Sequence, residues 1–200
     1  MTRGLIASLI LAASMLAACG SSPTPRFFVL SAPEQPAAKA VYSVAVGPVA
    51  VPEIVDRPQL VLRTGANEVM IAEQTRWAES LKSRIPRVIA ANLAQSLGDA
   101  YVSAYPQGTG GEADYRVSVD IQRFESALGE AATVEALWTV SPATGKSGAA
   151  GSGRSLVREP TQGKDYDALV AAHGRALASI SRDIAEAIRA VRGGQQTGNK

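Results

Sequence analysis

The sequence predicts an α+β fold: a mostly antiparallel sheet with two main helices packed on one face, in a single domain. Three observations carry the prediction. Residues 115–124 and 133–140 alternate apolar and polar side chains, the period-two pattern of strands with one buried face. Residues 77–97 and 165–191 repeat apolar side chains three or four positions apart, the stripe of an amphipathic helix. The order strands, helix, strands, helix then suits helices gathered over one side of a sheet.

The elements follow in chain order. Residues 26–30, Arg-Phe-Phe-Val-Leu, form a compact aromatic and β-branched run that predicts a first strand, after a Ser/Pro tether at 21–25. A Pro- and Ala-rich loop spans 32–40. Residues 41–51 are dense in β-formers, and Gly47-Pro48 predicts a bend or bulge near the middle of that strand. Pro52 and Pro58 bracket a turn containing Asp56-Arg57. Residues 60–63 and 68–73 read as two short strands joined across Thr64-Gly65-Ala66-Asn67. Trp77, Leu81, Ile85, Val88, Ile89, Leu93 and Leu97 share the first helical stripe. Pro86 is costly inside a helix, so the reading places a short turn up to about Leu81 and a helix capped by Ser83, with Pro86 in its first turn. Gly98 is the stop.

Residues 101–105 form a short strand candidate and 106–112 a Gly-rich loop. Tyr115, Val117, Val119 and Ile121 face one way on a half-buried antiparallel strand; Val134, Ala136, Trp138 and Val140 do the same on the next. Residues 141–153 read as a turn region and 154–158 as a returning strand. The second helix carries Leu169, His173, Leu177, Ile180, Ile184, Ile188 and Val191 on one stripe, and residues 193–200 read as a mobile polar tail.

Composition narrows the function. Hydrophobic residues are 46% of the 200 and charged residues 19%, enough apolar side chains for a real core. Twenty basic residues against 18 acidic ones leave a net +2, no surplus with which to displace counterions along a nucleic acid. One cysteine and one histidine exclude an intramolecular disulfide, a thiolate zinc cluster and any site needing two imidazoles.

That cysteine falls at an informative place. Arg3 is a short positive region, residues 5–15 are apolar, and Leu16-Ala17-Ala18-Cys19 ends the run. The apolar stretch is shorter than the roughly 20 residues of a membrane span, so it reads as a secretion signal. Leu-Ala-Ala-Cys resembles a bacterial lipobox, in which the chain is cut before the cysteine. Cys19 then carries covalent diacylglycerol and an N-acyl lipid; no other cofactor and no metal are expected. Several acyl chains hold a protein firmly where one holds it reversibly. Gly20 and Ser21, with no aspartate beside the cysteine, resemble the sorting pattern of outer-membrane lipoproteins. The expected segments are a signal peptide at 1–18, a lipidated tether at 19–25, a folded domain at 26–192 and the tail.

Other motifs read as structure. Gly145-Lys146-Ser147 lacks the glycine a phosphate loop needs five positions earlier, where Val140 stands. Gly151-Ser152-Gly153 lacks the spacing of a nucleophile elbow. His173 reads as a packed helix histidine, and Asp165 and Asp167 as favourable charges at a helix start. The Asp56-Arg57 turn stands apart: prolines restrict its backbone, and it offers one charge of each sign beside strand edges.

Several segments together resemble a known family. Phe27-Phe28-Val29-Leu30 matches an aromatic-aromatic-x-Leu element. Val46-Gly47-Pro48-Val49, Val51-Pro52, Asp56-Arg57-Pro58-Gln59-Leu60-Val61 and Arg63 match one continuous signature. Arg76-Trp77-Ala78-Glu79-Ser80-Leu81 matches another, with Ser80 in place of the usual proline. Asp114-Tyr115-Arg116-Val117, Arg123-Phe124-Glu125 and Trp138 complete the series. In order and over nearly the whole mature chain, these resemble the PqiC-type ABC-transporter auxiliary lipoproteins. The resemblance implies a periplasmic domain anchored to the outer membrane and a partner of the MCE-domain, PqiB-like kind, in a trans-envelope system that moves lipids or guards membrane integrity. It also implies ring-like self-assembly. Phe27-Phe28 keeps the aromatic character of the commoner tyrosine pair and loses its hydroxyls.

The first functional expectation is therefore a non-catalytic accessory lipoprotein. Its candidate partner-binding residues are Phe27, Phe28, Pro48, Pro52, Asp56, Arg57, Pro58, Gln59, Arg63 and Trp77, with Trp77 supporting the surface from the adjacent helix. The alternative is a periplasmic carrier holding acyl chains in an apolar groove between sheet and helices. A hydrolase would have to run on His173 alone.

Overall fold

The structure is a computed structural model that describes residues 23–34, 40–104, 113–142 and 150–197. Cys19, the signal peptide, the 106–112 loop and Gly145-Lys146-Ser147 lie outside them. The strands are β1 (Arg26–Phe28), β2 (Tyr42–Ala50), β3 (Gln59–Arg63), β4 (Val69–Trp77), β5 (Ala100–Ala104), β6 (Tyr115–Ala127), β7 (Ala131–Pro142) and β8 (Gly151–Pro160). The helices are α1 (Leu81–Leu97) and α2 (Tyr166–Thr197), and a 3-10 turn covers Glu53–Val55.

All eight strands join one sheet built around β6. One edge of β6 pairs antiparallel with β7 along its whole length, and β7 pairs antiparallel with β8. The other edge takes β2 in parallel as far as Ala50, opposite Asp120, and then β3 at Leu62, opposite Ser126. Twelve residues from Ala50 to Leu62 thus run beside six of β6, and the surplus is turned outward through Pro52 and Pro58. β4 pairs antiparallel with β3, while β5 and β1 add parallel pairings to β2 and β4. The long ladders are antiparallel, as expected. The parallel pairings of β6 with β2 and β3 were not: period-two alternation reports one buried face and says nothing about a neighbour's direction.

The core lies between the inner sheet face and the two helices, which pack side by side. Val44, Val46 and Val117 from the sheet meet Ile85, Val88, Ile89 and Leu93 of α1 and Leu169, Leu177, Ile180, Ile184 and Ile188 of α2, each fully buried. Both predicted stripes are the buried faces. In β6 the alternation slips at Gln122, where the register to β7 shifts between Ile121 and Arg123, and this returns Phe124 and Ser126 to the core. Gly47-Pro48 lies where the register of β2 to β6 shifts, the bulge its sequence predicts.

Three expectations are corrected. Trp77 is the last residue of β4, not part of a helix, and its N–H donates to the Pro58 carbonyl at 2.7 Å. The helix starts three residues earlier than expected: Ser80 is the N-cap, its side chain accepting from the Ser83 N–H at 3.3 Å. Pro86 therefore sits one and a half turns into α1. The proline removes one helical hydrogen bond, and its buried ring adds apolar contact to the core. The last helix runs on to Thr197, past the start of the expected tail. Removing the cap with Ser80→Ala should lower stability by about 1 kcal/mol; chemical denaturation checks this, and an unchanged midpoint would show the cap to be idle.

Candidate docking surface

The turn between β2 and β3 is built from both sides. Pro52 precedes the 3-10 turn, and the Val55 and Asp56 N–H groups donate back to the Pro52 carbonyl at 3.1 and 3.2 Å. Val55 is buried beneath the turn and Leu60 begins the buried run of β3, so both ends are pinned to the core. Asp56, Arg57 and Pro58 stand exposed between these anchors. Among the described residues neither Asp56 nor Arg57 takes part in an ion pair.

Further along β3 and across the sheet, other charges are paired. Arg63 binds Glu125 at 2.9 Å, Arg123 lies 3.8 Å from Glu125 and 3.7 Å from Glu135, and Arg154 binds Glu135 at 2.6 Å. This ladder of opposite charges runs across β3, β6, β7 and β8. Arg63 also donates to the Ala66 carbonyl, which fixes it to its own hairpin turn. The solvent-facing Arg63–Glu125 pair contributes only about 0–1 kcal/mol, while Glu135 is buried between Arg123 and Arg154; both arrangements neutralise the charges they hold.

The ten sequence-derived candidates do not converge on one patch. Asp56, Arg57, Pro58 and Gln59 share the turn, with Gln59 reaching Glu73 at 3.3 Å. Pro48 and Pro52 lead into it from β2. Arg63 lies at the far end of β3, and Phe27 is exposed on the outermost strand, β1. Phe28 and Trp77 are neighbours in the β1–β4 register and both are buried. Phe28 packs against Tyr166 with ring centres 5.9 Å apart, and Trp77 sits edge-on to Phe124 at 6.2 Å and to His173 at 6.4 Å. These two aromatics hold the core together below the surface.

Two open grooves were not foreseen. One, of about 740 Å3, is lined by Pro48, Ala50, Lys82, Ser118, Asp120, Leu137, Thr139 and Ser152. The strand residues among them alternate with inward-facing Val49, Val119, Trp138 and Gly153, so they belong to the sheet face that carries no helix. An apolar Leu137 at an outward position was the available signal. The other, of about 590 Å3, lies between Phe27–Pro33 and α2, against Val170, Ala171, Gly174 and Ala178.

His173 is the chain's one imidazole and is wholly buried. It stacks on Phe124 with ring centres 4.0 Å apart, and its Nε2 lies 2.8 Å from the Ser126 Oγ. Its Nδ1 has no hydrogen-bond partner among the described residues. Burial drives its pKa down from 6.5 to about 3, because the interior cannot solvate an imidazolium. The ring is neutral at neutral pH, and no described group orients it from the Nδ1 side. Ser126, too, is buried, and the sequence offered no signal for the pairing. Among the described residues no cluster of three or more His, Cys, Asp or Glu could hold a metal, and no helix is long and apolar enough to cross a membrane.

A family model described as the ABC-type transport auxiliary lipoprotein component matches residues 28–185. The fold is similar to that of two crystal structures. A protein described only as uncharacterized aligns with a TM-score of 0.68 and 20% identity, over 83% of this chain and 99% of its own. A Xanthomonas campestris protein of the DUF330 family aligns with a TM-score of 0.65 and 20% identity, over 88% of this chain and all of its own. At that identity the likeness is one of fold. No curated protein matches the sequence.

Proposed function

Because this chain belongs to the ABC-type transport auxiliary lipoprotein components, we propose that it is a non-catalytic subunit of a trans-envelope lipid-transport system, acylated on Cys19 and held at the periplasmic face of the outer membrane. Its partner in this reading is an MCE-domain, PqiB-like protein that reaches across the periplasm. The observation that carries the contact assignment is the Asp56-Arg57 turn: exposed, pinned at both ends, and with neither of its charges in an ion pair among the described residues. Desolvating a charge against a partner is least costly when no existing pair must be broken first.

The non-catalytic reading is supported by the state of His173, sealed in the core beside Ser126 with no route for a substrate. A lipid carrier with acyl chains between sheet and helices is less well supported, since Val46, Val117, Ile89 and Ile180 have no accessible surface there. Ring-like self-assembly stays part of the proposal, and cross-linking of the lipidated protein in membranes tests it.

The decisive experiment is affinity capture of the lipidated protein from solubilised envelopes. Arg57→Glu should reduce recovery of the MCE-domain partner several-fold while leaving the thermal midpoint unchanged. Equal recovery with Asp56→Lys, Arg57→Glu and Arg63→Glu would remove this surface from consideration. Absence of any MCE-domain protein from the wild-type capture would remove the partner.

A further inference from the structure

The free end of the β3–β4 hairpin is apolar on both sides. Val69, Met70 and Ile71 are consecutive and 45%, 48% and 38% exposed. The register puts Met70 in one row with Leu62 and Ser126, so Val69 and Ile71 point to the opposite face. β1 pairs with β4 only from Thr75 to Trp77, and among the described residues nothing pairs with its outer edge from Val69 to Gln74. Leu128, in the β6–β7 turn, is exposed at the same end of the sheet. From Thr64 to Ala72 the only charged residue is Glu68. A bare apolar strand edge of this kind is an aggregation hazard unless something covers it.

The position of the amino terminus indicates what does. β1 is parallel to β4, with Arg26 opposite Thr75, so the chain enters β1 from the side on which Val69 lies. Val69 is six residues along β4 from Thr75, about 20 Å. Cys19 precedes Arg26 by seven residues, which reach at most about 25 Å when extended. A lipid anchor at Cys19 therefore lies within the same span as the hairpin end.

We infer that this end, residues 64–71 together with Leu128, is the membrane-facing pole of the domain, with Val69, Met70 and Ile71 seated in the lipid interface beside the anchor. The inference rests on acylation of Cys19. It adds to the tether a second point of attachment, one covalent lipid and one apolar hairpin, and so gives the domain a defined orientation on the bilayer. The Asp56-Arg57 turn, at the other end of β3, would then face away from the lipid.

Cys19 is the chain's one cysteine, so a second cysteine added to the acylated protein is its one free thiol. Met70→Cys and, as a control at exposed Tyr101 in edge strand β5, Tyr101→Cys are labelled with the environment-sensitive dye NBD. Each is reconstituted into phosphatidylethanolamine and phosphatidylglycerol vesicles containing a doxyl-labelled phospholipid. Flotation first establishes attachment. The expected result is blue-shifted emission at position 70, quenched several-fold more strongly by the doxyl lipid than at position 101. Equal quenching at both positions on floating protein overturns the inference and leaves the anchor intact. A blue shift at position 70 without lipid quenching also overturns it, because protein then covers the hairpin. Acylated protein that fails to float overturns the anchor and the inference together.

Discussion

Gly153→Ala should destabilise the protein by about 1–3 kcal/mol, the range for forcing extra atoms into a packed site. Gly153 pairs with Trp138 across β7 and β8, and the indole lies over it. A Cβ at residue 153 would sit 2.3 Å from Trp138 Cζ2 and 2.6 Å from Cη2. The ring has little freedom to move away, because its Nε1–H donates to the Ser155 Oγ at 3.0 Å and that hydroxyl donates to Asp183 Oδ2 on α2 at 2.5 Å. Displacing the indole therefore breaks a link from the sheet to the helix as well as a packing contact. Alanine reduces the freedom of the unfolded chain, which offsets about 0.4–1 kcal/mol of the cost. The thermal midpoint should fall by about 2–4 °C for each net kcal/mol lost. A second substitution, Trp138→Leu, should recover part of the loss in the Gly153→Ala background while being destabilising alone, the coupling expected of two groups in contact. A Gly153→Ala protein as stable as the wild type would show that the sheet yields at this edge.

Acidification should destabilise the wild type more steeply than a variant without the buried imidazole. His173 has its pKa lowered to about 3 in the folded state by burial, against 6.5 in the unfolded chain. Between those values the unfolded state binds one more proton than the native one, so stability rises with pH and is lost as pH falls. The slope from this group is about 1.4 kcal/mol per pH unit below about 6.5, or about 2 kcal/mol by about pH 5. The comparison is the double variant Ser126→Ala/His173→Leu, which removes the imidazole without stranding its hydroxyl partner. Both proteins lose whatever the carboxylates contribute, and only the wild type loses the histidine term. Denaturant unfolding from about pH 7.5 to about pH 5 should give the double variant the shallower slope by that amount. Parallel slopes would mean that the native interior accepts the proton, most directly through water reaching Nδ1.

These two residues mark where the sequence was legible and where it was not. The stripe from Leu169 to Val191 placed His173 on a buried face correctly, because helical periodicity alone determines which side chains share a side. It could not supply Ser126, 47 residues away on β6. The slip at Gln122 that turns Ser126 inward is visible only once β7 sets the register. Gly151-Ser152-Gly153 read as turn punctuation, yet these residues open β8: the indole that needs a glycine beneath it lies on another strand. Trp77 was assigned to a helix because Trp77, Leu81 and Ile85 keep the right spacing. The break between strand and helix at residues 78–80 is set by the Ser80 cap and by the hydrogen bond from Trp77 to Pro58. Of the candidate surface, the Pro-bounded turn was legible as a turn. Its isolation from the ion pairs was not, because those pairs join four strands.

The sequence by itself determined the class of the fold, the buried faces of both helices, of β6 as far as Ile121 and of β7, the bulge at Gly47-Pro48, and a family signature spread over the mature chain. All of these are local: each depends on side-chain spacing within a dozen residues, or on residue types in order. The tertiary structure alone decided that β2 and β3 run in the same direction along one edge of β6, that the turn between them is extruded, that Phe28 and Trp77 are core, and that β4 begins in an exposed apolar hairpin. Each of these depends on which strands become neighbours. That choice follows from how two helices and eight strands can together bury their apolar faces, a global condition that no single segment carries.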